Sequence, residues 1–451
     1  MTHTTTRQTH HRLVTSITAV TLLLTAGCTP SIGGVIGPPN NPKPPPMKAI
    51  VAGGTGLDRF DGVAVASDGS IIAVGQTTSA DGDFPPSHGA FDAVIVKYGP
   101  DGTQQWAKTI GGSDDDGFSG VAVAGDGSII AVGATASTDG DLAPAHGNGG
   151  ALIVKYSPDG TQQWAQIRDS AGFKGVVVAS DGTIIAVGTR SSADGAFPPT
   201  HGDADSLIVK YSPDGTQQWA KTTWGTNGDD FTRVAVTSDG GIIAVGYANP
   251  TDGDFPPVSD QRRAFIARFG SDGTQQWTKT AGGSDDGFFD DVAVVSDGGI
   301  IAAGATSSRN GDVPLNQSFY DALIVKYGPD GTKQWTKTTG GSDGDFFRGV
   351  AAASDGSISA VGETFSIDGD FPPSHRRTDI VTDVLIVKYG PDGTQYWAKT
   401  SGGPDSDSLA QVTVTSGGSI IAVGETSSEE GDFPPLHGYM DALLVIISPE
   451  M

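Results

Sequence analysis

After residue 47 the apolar positions of this chain fall in short runs, not at the three-and-four spacing of an amphipathic helix. Ser70-Ile-Ile-Ala-Val74 and Ala93-Val-Ile-Val-Lys-Tyr98 are nearly continuous, whereas Gly62-Val-Ala-Val-Ala66 is small and apolar and Thr103-Gln-Gln-Trp-Ala-Lys108 is mixed. These four stretches predict four short strands. Ser67-Asp68-Gly69 and Pro100-Asp101-Gly102 separate the outer pairs, and an Asp-Gly pair supplies the positive φ that a tight hairpin needs. The longer stretch Asp81-Gly-Asp-Phe-Pro-Pro-Ser-His88 separates the middle pair. Near-continuous apolar strands are expected where both faces of a sheet are covered.

The four-strand pattern then repeats. Trp106, Trp164, Trp219, Trp277, Trp335 and Trp397 lie 58, 55, 58, 58 and 62 residues apart, and that period predicts one propeller blade per unit. Small residues in the first strands suit the crowded zone near an axis. One Trp in each fourth strand predicts a large buried surface, and a fully buried Trp costs about 3–5 kcal/mol to remove. Six units are complete, but the seventh stops after Ala442-Leu-Leu-Val-Ile-Ile447 with no fourth strand. Lys48-Ala-Ile-Val-Ala52-Gly-Gly stands where Trp106-Ala-Lys-Thr-Ile110-Gly-Gly stands one unit later. Residues 47–52 are therefore expected to complete the last blade, which removes the unpaired edge. The predicted fold is all-β: a seven-bladed β-propeller of four-stranded antiparallel blades over residues 47–451, closed by its N-terminal strand.

The first 46 residues differ from the rest. Arg7 and Arg12 precede a mostly apolar run from Leu13 to Thr25 that is too short for a membrane span. It ends in Leu24-Thr-Ala-Gly27-Cys28, which resembles the bacterial lipobox, with Thr25 where that motif prefers Leu. The resemblance implies a signal peptide over 1–27 and a lipid on Cys28, the only cysteine of the chain. Residues 28–46, rich in Gly and Pro, read as an extended tether that holds a folded body away from a membrane. The chain would then be anchored, not spanning.

The repeated unit Asp-Ala-Leu-Ile-Val-Lys-Tyr-x-Pro-Asp-Gly-Thr-Gln-Gln-Trp, followed by Gly-Gly-Ser-Asp-Asp, Val-Ala-Val-x-Ser-Asp-Gly-x-Ile-Ile-Ala-Val-Gly and Phe-Pro, resembles the bacterial β-propeller repeat called SBBP. The resemblance covers residues 47–451. It implies a secreted or surface propeller in a bacterial cell envelope and no particular reaction.

Charge narrows the partners. The formal net charge is −25, and since residues 1–46 hold three bases and no acid, residues 47–451 carry −28. Such a surface repels nucleic acid and anionic membrane faces. One cysteine excludes an internal disulfide framework and a thiolate metal cluster.

Strands that run up and down a blade place the short Asp-Gly turns on one end and gather the long loops and inter-blade connections on the other. Acids concentrate there. Asp81 and Asp83 recur as Asp139 and Asp141, Asp252 and Asp254, and Asp368 and Asp370. Carboxylates two apart on a Gly turn can chelate Ca²⁺ or cap the turn by hydrogen bonds to backbone N–H groups. The five histidines outside the leader, His88, His146, His201, His375 and His437, occupy one repeat position, as copying of the unit requires. Blade 4 replaces the usual loop with Ser259-Asp-Gln-Arg262-Arg263, and blade 6 lengthens it through Arg376 and Arg377. These arginine pairs could clamp an anionic group of a glycan or protein ligand. No non-repeated acid–base couple stands out. The reading is a monomeric, lipid-anchored, extracytoplasmic binding or scaffolding module, with no nucleic-acid partner. The alternatives are a propeller enzyme acting on polysaccharide and a calcium-stabilised structural protein of the envelope.

Overall fold

A computed structural model describes residues 43–449 apart from 146–148, 192–196, 199–203, 224–227, 249–260, 312, 315–318 and 373–379. It contains seven four-stranded antiparallel sheets arranged as the blades of a propeller. After the closing strand β1 (Met47–Ala52), blade 1 consists of β2 (Asp58–Val65), β3 (Ile71–Thr77), β4 (Asp92–Tyr98) and β5 (Gln104–Ile110), and the next five blades repeat it. The seventh takes three strands from the C-terminal end and its fourth from β1. Met47 lies opposite Ile447 and Ala52 opposite Ala442, so the ring is closed as expected.

Three of the four strands of blade 1 fall within a few residues of the sequence expectation. The first begins four residues earlier, at Asp58 and not at Gly62. The reason is a β-bulge. Phe60 pairs with Gly75 and Gly62 with Val74, which leaves Asp61 as an extra residue without a partner. The bulge interrupts the period-two pattern, so the strand cannot be followed through it by alternation. The same bulge recurs in the first strand of every blade. It also explains the glycine that ends each Ile-Ile-Ala-Val-Gly run. A Cβ at Gly75 would lie 2.0 Å from the Arg59 carbonyl, and a Cβ at Gly133 would lie 1.9 Å from that of Gly117.

The core lies between blades. Side chains of β3 and β4 in blade 1 share one cluster with Phe118, Val121 and Ile129 of blade 2. Phe60, Phe118, Phe173, Phe231, Phe289, Phe347 and Leu409, one per first strand, are buried wedges at successive junctions. The closing junction is packed in the same way, by Phe60 of blade 1 against Val423 and Leu444 of blade 7. The tryptophans are less buried than their size suggests: Trp397 is 1% exposed, whereas the other five blade tryptophans are only half-buried. They sit on outermost strands and each covers the turn glycine of the next blade. A Cβ at Gly160 would lie 3.1 Å from the Trp106 ring, for instance. Trp397 instead faces the closing blade, where it packs with Ile447 and Met47.

Candidate functional site

The connectivity puts the β2–β3 and β4–β5 turns at one end of each blade and the β3–β4 loops and inter-blade connections at the other. At that second end the paired aspartates are fasteners. Asp81 accepts the N–H of Thr55 at 2.8 Å and its hydroxyl at 3.0 Å, and Asp83 accepts the N–H of Gly53 at 3.1 Å. Asp139 accepts the Ser113 N–H, and Asp368 and Asp370 accept those of Ser342 and Gly340. The N–H of Asp141 returns a bond to the Gly111 carbonyl. The long loops of blades 1, 2 and 6 are thus tied to the inter-blade connections beside them. Asp252 and Asp254 lie outside the described residues, as do Cys28 and the rest of residues 1–42. Among the described residues no three His, Cys, Asp or Glu side chains gather as a metal site.

His88 and His437 each lie against an aspartate four residues on: His88 Nδ1 is 3.0 Å from Asp92 and His437 Nδ1 is 3.1 Å from Asp441. They cap the start of the third strand and do not converge; the other three repeat histidines lie outside the described residues. Arg262 donates to both oxygens of Asp286, at 3.1 and 2.7 Å. Arg263 is buried and donates to the Asp285 carbonyl at 3.2 Å. Arg376 and Arg377 lie outside the described residues.

The residues that do converge are the bulge residues. Asp61, Ser119, Lys174, Thr232, Asp290, Arg348 and Ala410 all line a cavity of about 410 Å³ on the axis, toward the long-loop end. A bulge re-aims its extra residue, and a bulge in every blade points seven such residues at one axis. The next residue in each strand forms the floor. There Gly62, Gly120, Gly175 and Gly349 leave room for three long polar side chains, Arg233, Asp291 and Gln411. Arg233 donates to the carbonyls of Lys174 at 2.9 Å and Asp61 at 3.3 Å, so it reaches across from blade 4 to blades 3 and 1. Asp291 accepts the N–H groups of Val292 and Val350, and Gln411 accepts that of Val63. Below this polar layer the channel continues toward the short-turn end as a second cavity of about 280 Å³, ringed by valines such as Val63, Val121 and Val412.

Charges in the mouth are paired. Arg348 holds Asp290 at 2.9 Å and Glu363 at 2.6 Å. Burial alone would lower its pKa, but these two carboxylates outweigh it and hold the guanidinium above its ordinary value. Lys174 is paired with Asp230, and Arg59 lies 3.3 Å from Asp61. Burial pushes the carboxyls of Asp61 and Asp290 up, against the pull of Arg59 and Arg348 respectively. Asp291 is pushed up by burial to about 6.

An aromatic wall adjoins the mouth over blades 4 to 6. Arg348 lies over the rings of Phe346, at 4.9 Å, and Phe288, at 6.0 Å. Arg262 lies over Tyr247 and Phe288 at 5.3 and 5.8 Å. Tyr320 packs on both Phe288 and Phe346, donates to Asp286, and touches the exposed ring of Phe319. The signal for this site lies in the one variable slot of Phe-x-Gly-Val, where Asp61, Ser119 and Lys174 alternate in otherwise matching first strands. Reading the repeat for what recurs hides the slot that does not.

No protein-family model matches the chain, and no curated protein matches it in sequence. Solved propellers are similar to it. The WD40 β-propeller domain of Doa1 aligns with a TM-score of 0.50 at 13% identity, over 89% of this chain and 96% of that one. The WD40 domain of Neurospora crassa Pan2 aligns at 0.46 and 11%, over 87% and 90%. A protein of unknown function from Bacteroides caccae aligns at 0.39 and 11%, over 68% and 89%. At such identities the likeness to the Doa1 domain shows a shared fold and nothing finer.

Proposed function

We propose that this chain is a non-catalytic binding module, tethered to a bacterial cell envelope by a lipid on Cys28, that takes its ligand at the long-loop end of the propeller axis. One observation carries the reading: the non-repeated bulge residues, Lys174, Asp290 and Arg348 among them, meet in a single cavity of about 410 Å³. A propeller built of near-identical blades gains a distinctive surface only where its units differ. The pairing of the mouth carboxylates supports binding over catalysis. Asp290 and Glu363 are held by Arg348, and Asp291 by two N–H groups. None is left as a separate acid or base of the kind that hydrolysis of a glycoside uses. The lipobox-like Leu24-Thr-Ala-Gly27-Cys28 and the likeness to SBBP units support the envelope address.

Two measurements test the parts separately. Expressed with its full leader and fed a labelled fatty acid, the chain should take up label that Cys28→Ser does not. Equal labelling of both would remove the anchor. On arrays of peptides and oligosaccharides the purified protein should bind a restricted set, and Arg348→Gln should weaken that binding about tenfold or more, as expected for a central charged contact. Binding indifferent to Arg348→Gln would move the site elsewhere. Release of new reducing ends from a bound polysaccharide, abolished by Glu363→Gln, would make the enzyme alternative the correct one.

A further inference from the structure

The mouth of the axial cavity is walled on one side and open on the other. In each first strand the residue before the buried wedge faces a partner on the second strand. Arg59 faces Gln76 in blade 1, Asp230 faces Tyr247 in blade 4, and Phe346 faces Glu363 in blade 6. Blade 2 has only Gly117 and Ala134 at these places, and blade 3 has Gly172 and Thr189. Neither glycine has a positive φ. A Cβ at Gly172 would meet nothing closer than that of Ala134, at 3.9 Å, so the backbone does not require glycine there.

Exposure shows the result. Ala134 is exposed, whereas Ala305, the same repeat position in blade 5, is buried opposite Phe288. Gly117 also lines the cavity of about 410 Å³. The cavity therefore opens sideways over blades 2 and 3, across the axis from the aromatic wall of blades 4 to 6. Copying of the unit does not explain a gap that two adjacent blades have and the others fill.

The chemistry of the mouth selects a neutral, hydroxyl-bearing ligand. Arg348, Lys174 and Arg59 each hold a carboxylate, and Arg233 donates to main-chain carbonyls. A charged ligand group would have to open one of these pairs and strand its partner. A hydroxyl would not, because it donates and accepts at once. Asp290 turns only Oδ2 to Arg348, and Glu363 only Oε1, which leaves the second oxygen of each for a ligand donor. Ser119 and Ser408 add hydroxyls, and the half-buried ring of Phe346 beside Arg348 adds an apolar face for the C–H side of a sugar. A peptide pairs through its backbone with a strand edge, but at this mouth the carbonyls of Asp61, Lys174 and Thr232 already accept from Arg233. An anionic glycan meets the −28 charge of residues 47–451. We propose that the mouth takes the end of a neutral glycan chain, whose further units leave over Ala134 and Gly172. This rests on the reading of the chain as a binding module and names the class of its ligand.

The full-length protein is titrated by calorimetry with linear hexasaccharides of glucose, mannose, xylose and N-acetylglucosamine, with hexagalacturonate as the acidic probe, and with a hexapeptide of alternating Ser and Asn. At least one neutral hexasaccharide should bind, with an affinity that does not fall as salt is raised. Gly172→Phe puts the residue of blade 6 into the gap and should weaken that binding about tenfold or more by steric exclusion. Ala134→Gln, at an exposed position, should do the same. Gly125→Gln, in a short turn where nothing lies within 4 Å, should leave it unchanged. An unchanged melting temperature checks that each variant folds, and Ala134→Gln decides alone if Gly172→Phe does not. Neutral-sugar binding that the folded gap variants leave intact overturns the proposal, and if Arg348→Gln leaves it intact as well, the axial binding site falls with it. Tighter binding of hexagalacturonate or of the peptide than of every neutral sugar, weakened by Arg348→Gln, overturns the ligand class but leaves the binding-module reading standing. Binding of none of the four neutral hexasaccharides also overturns the proposal.

Discussion

Gly75 shows how a single residue holds the site in place. The bulge that aims Asp61 at the axis brings the Arg59 carbonyl to 2.0 Å from where a Cβ at Gly75 would stand. Real side chains do not tolerate such an approach to backbone, so the bulge requires glycine opposite it. Gly75→Ala should therefore cost at least the 1–3 kcal/mol typical of overpacking, read from the midpoint of urea denaturation. Gly125→Ala, where nothing lies within 4 Å, should be close to neutral. Equal effects would mean that the bulge is not under this steric control. The tryptophans give a second graded test. Trp397 is fully buried against the closing blade, so Trp397→Ala should cost about 3–5 kcal/mol. Trp106 is half-buried over a turn, and Trp106→Ala should cost about half as much or less.

At the scale of the element, β1 decides whether seven units make a ring. It supplies the six residue pairs that cover the Asp441–Ile447 edge, and its Val51, Met47 and Ala49 join the cluster around Trp397. A chain lacking residues 47–52 should melt well below the parent in calorimetry and should aggregate through the bared edge. If it melts with the parent, β1 does not close the ring. This strand was legible because the repeat shows a missing fourth strand at one end and an orphan at the other. Strand interiors were legible too, from Ile71-Ile-Ala-Val74 and its copies. The start of each first strand was not, because alternation fails at the bulge. The axial mouth was hidden for the same reason. Its side chains come from seven positions about 58 residues apart, and only ring closure brings Asp61 of blade 1 beside Arg233 of blade 4. The aspartate pairs drew notice as candidate chelators because they recur. Recurrence from blade to blade is equally what a fastener needs, and Asp81, Asp83 and Asp368 face backbone N–H groups.

Over the whole molecule, two populations of aspartate set opposite limits on stability. One is buried at the junctions and the axis. Asp345 accepts the Gly341 N–H and the hydroxyls of Thr364 and Ser366, yet burial pushes it up to about 7. Burial also pushes Asp407 and Asp291 up to about 6. These groups bind protons more readily folded than unfolded, so between the unfolded value near 3.8 and these raised values stability falls as pH rises. The other population sits in the short turns. Hydroxyls of Ser157, Ser212 and Thr237, with backbone N–H groups, hold Asp159, Asp214 and Asp239 down to about 2. Their contribution is present above the unfolded value and is lost as pH falls toward 2. The two slopes meet at mildly acidic pH. At constant ionic strength the melting temperature should be highest near pH 4, where the two intervals meet at the unfolded value, and lower both at 7.5 and at 2.5. A melting temperature that climbs from pH 5 to 7.5 would show that the junction aspartates ionise without cost. Asp345→Asn separates the causes. The amide presents donors where Asp345 only accepts, so the variant should melt lower throughout, but its decline from pH 5 to 7.5 should be shallower than the parent's. An undiminished decline would place the titration in some other group.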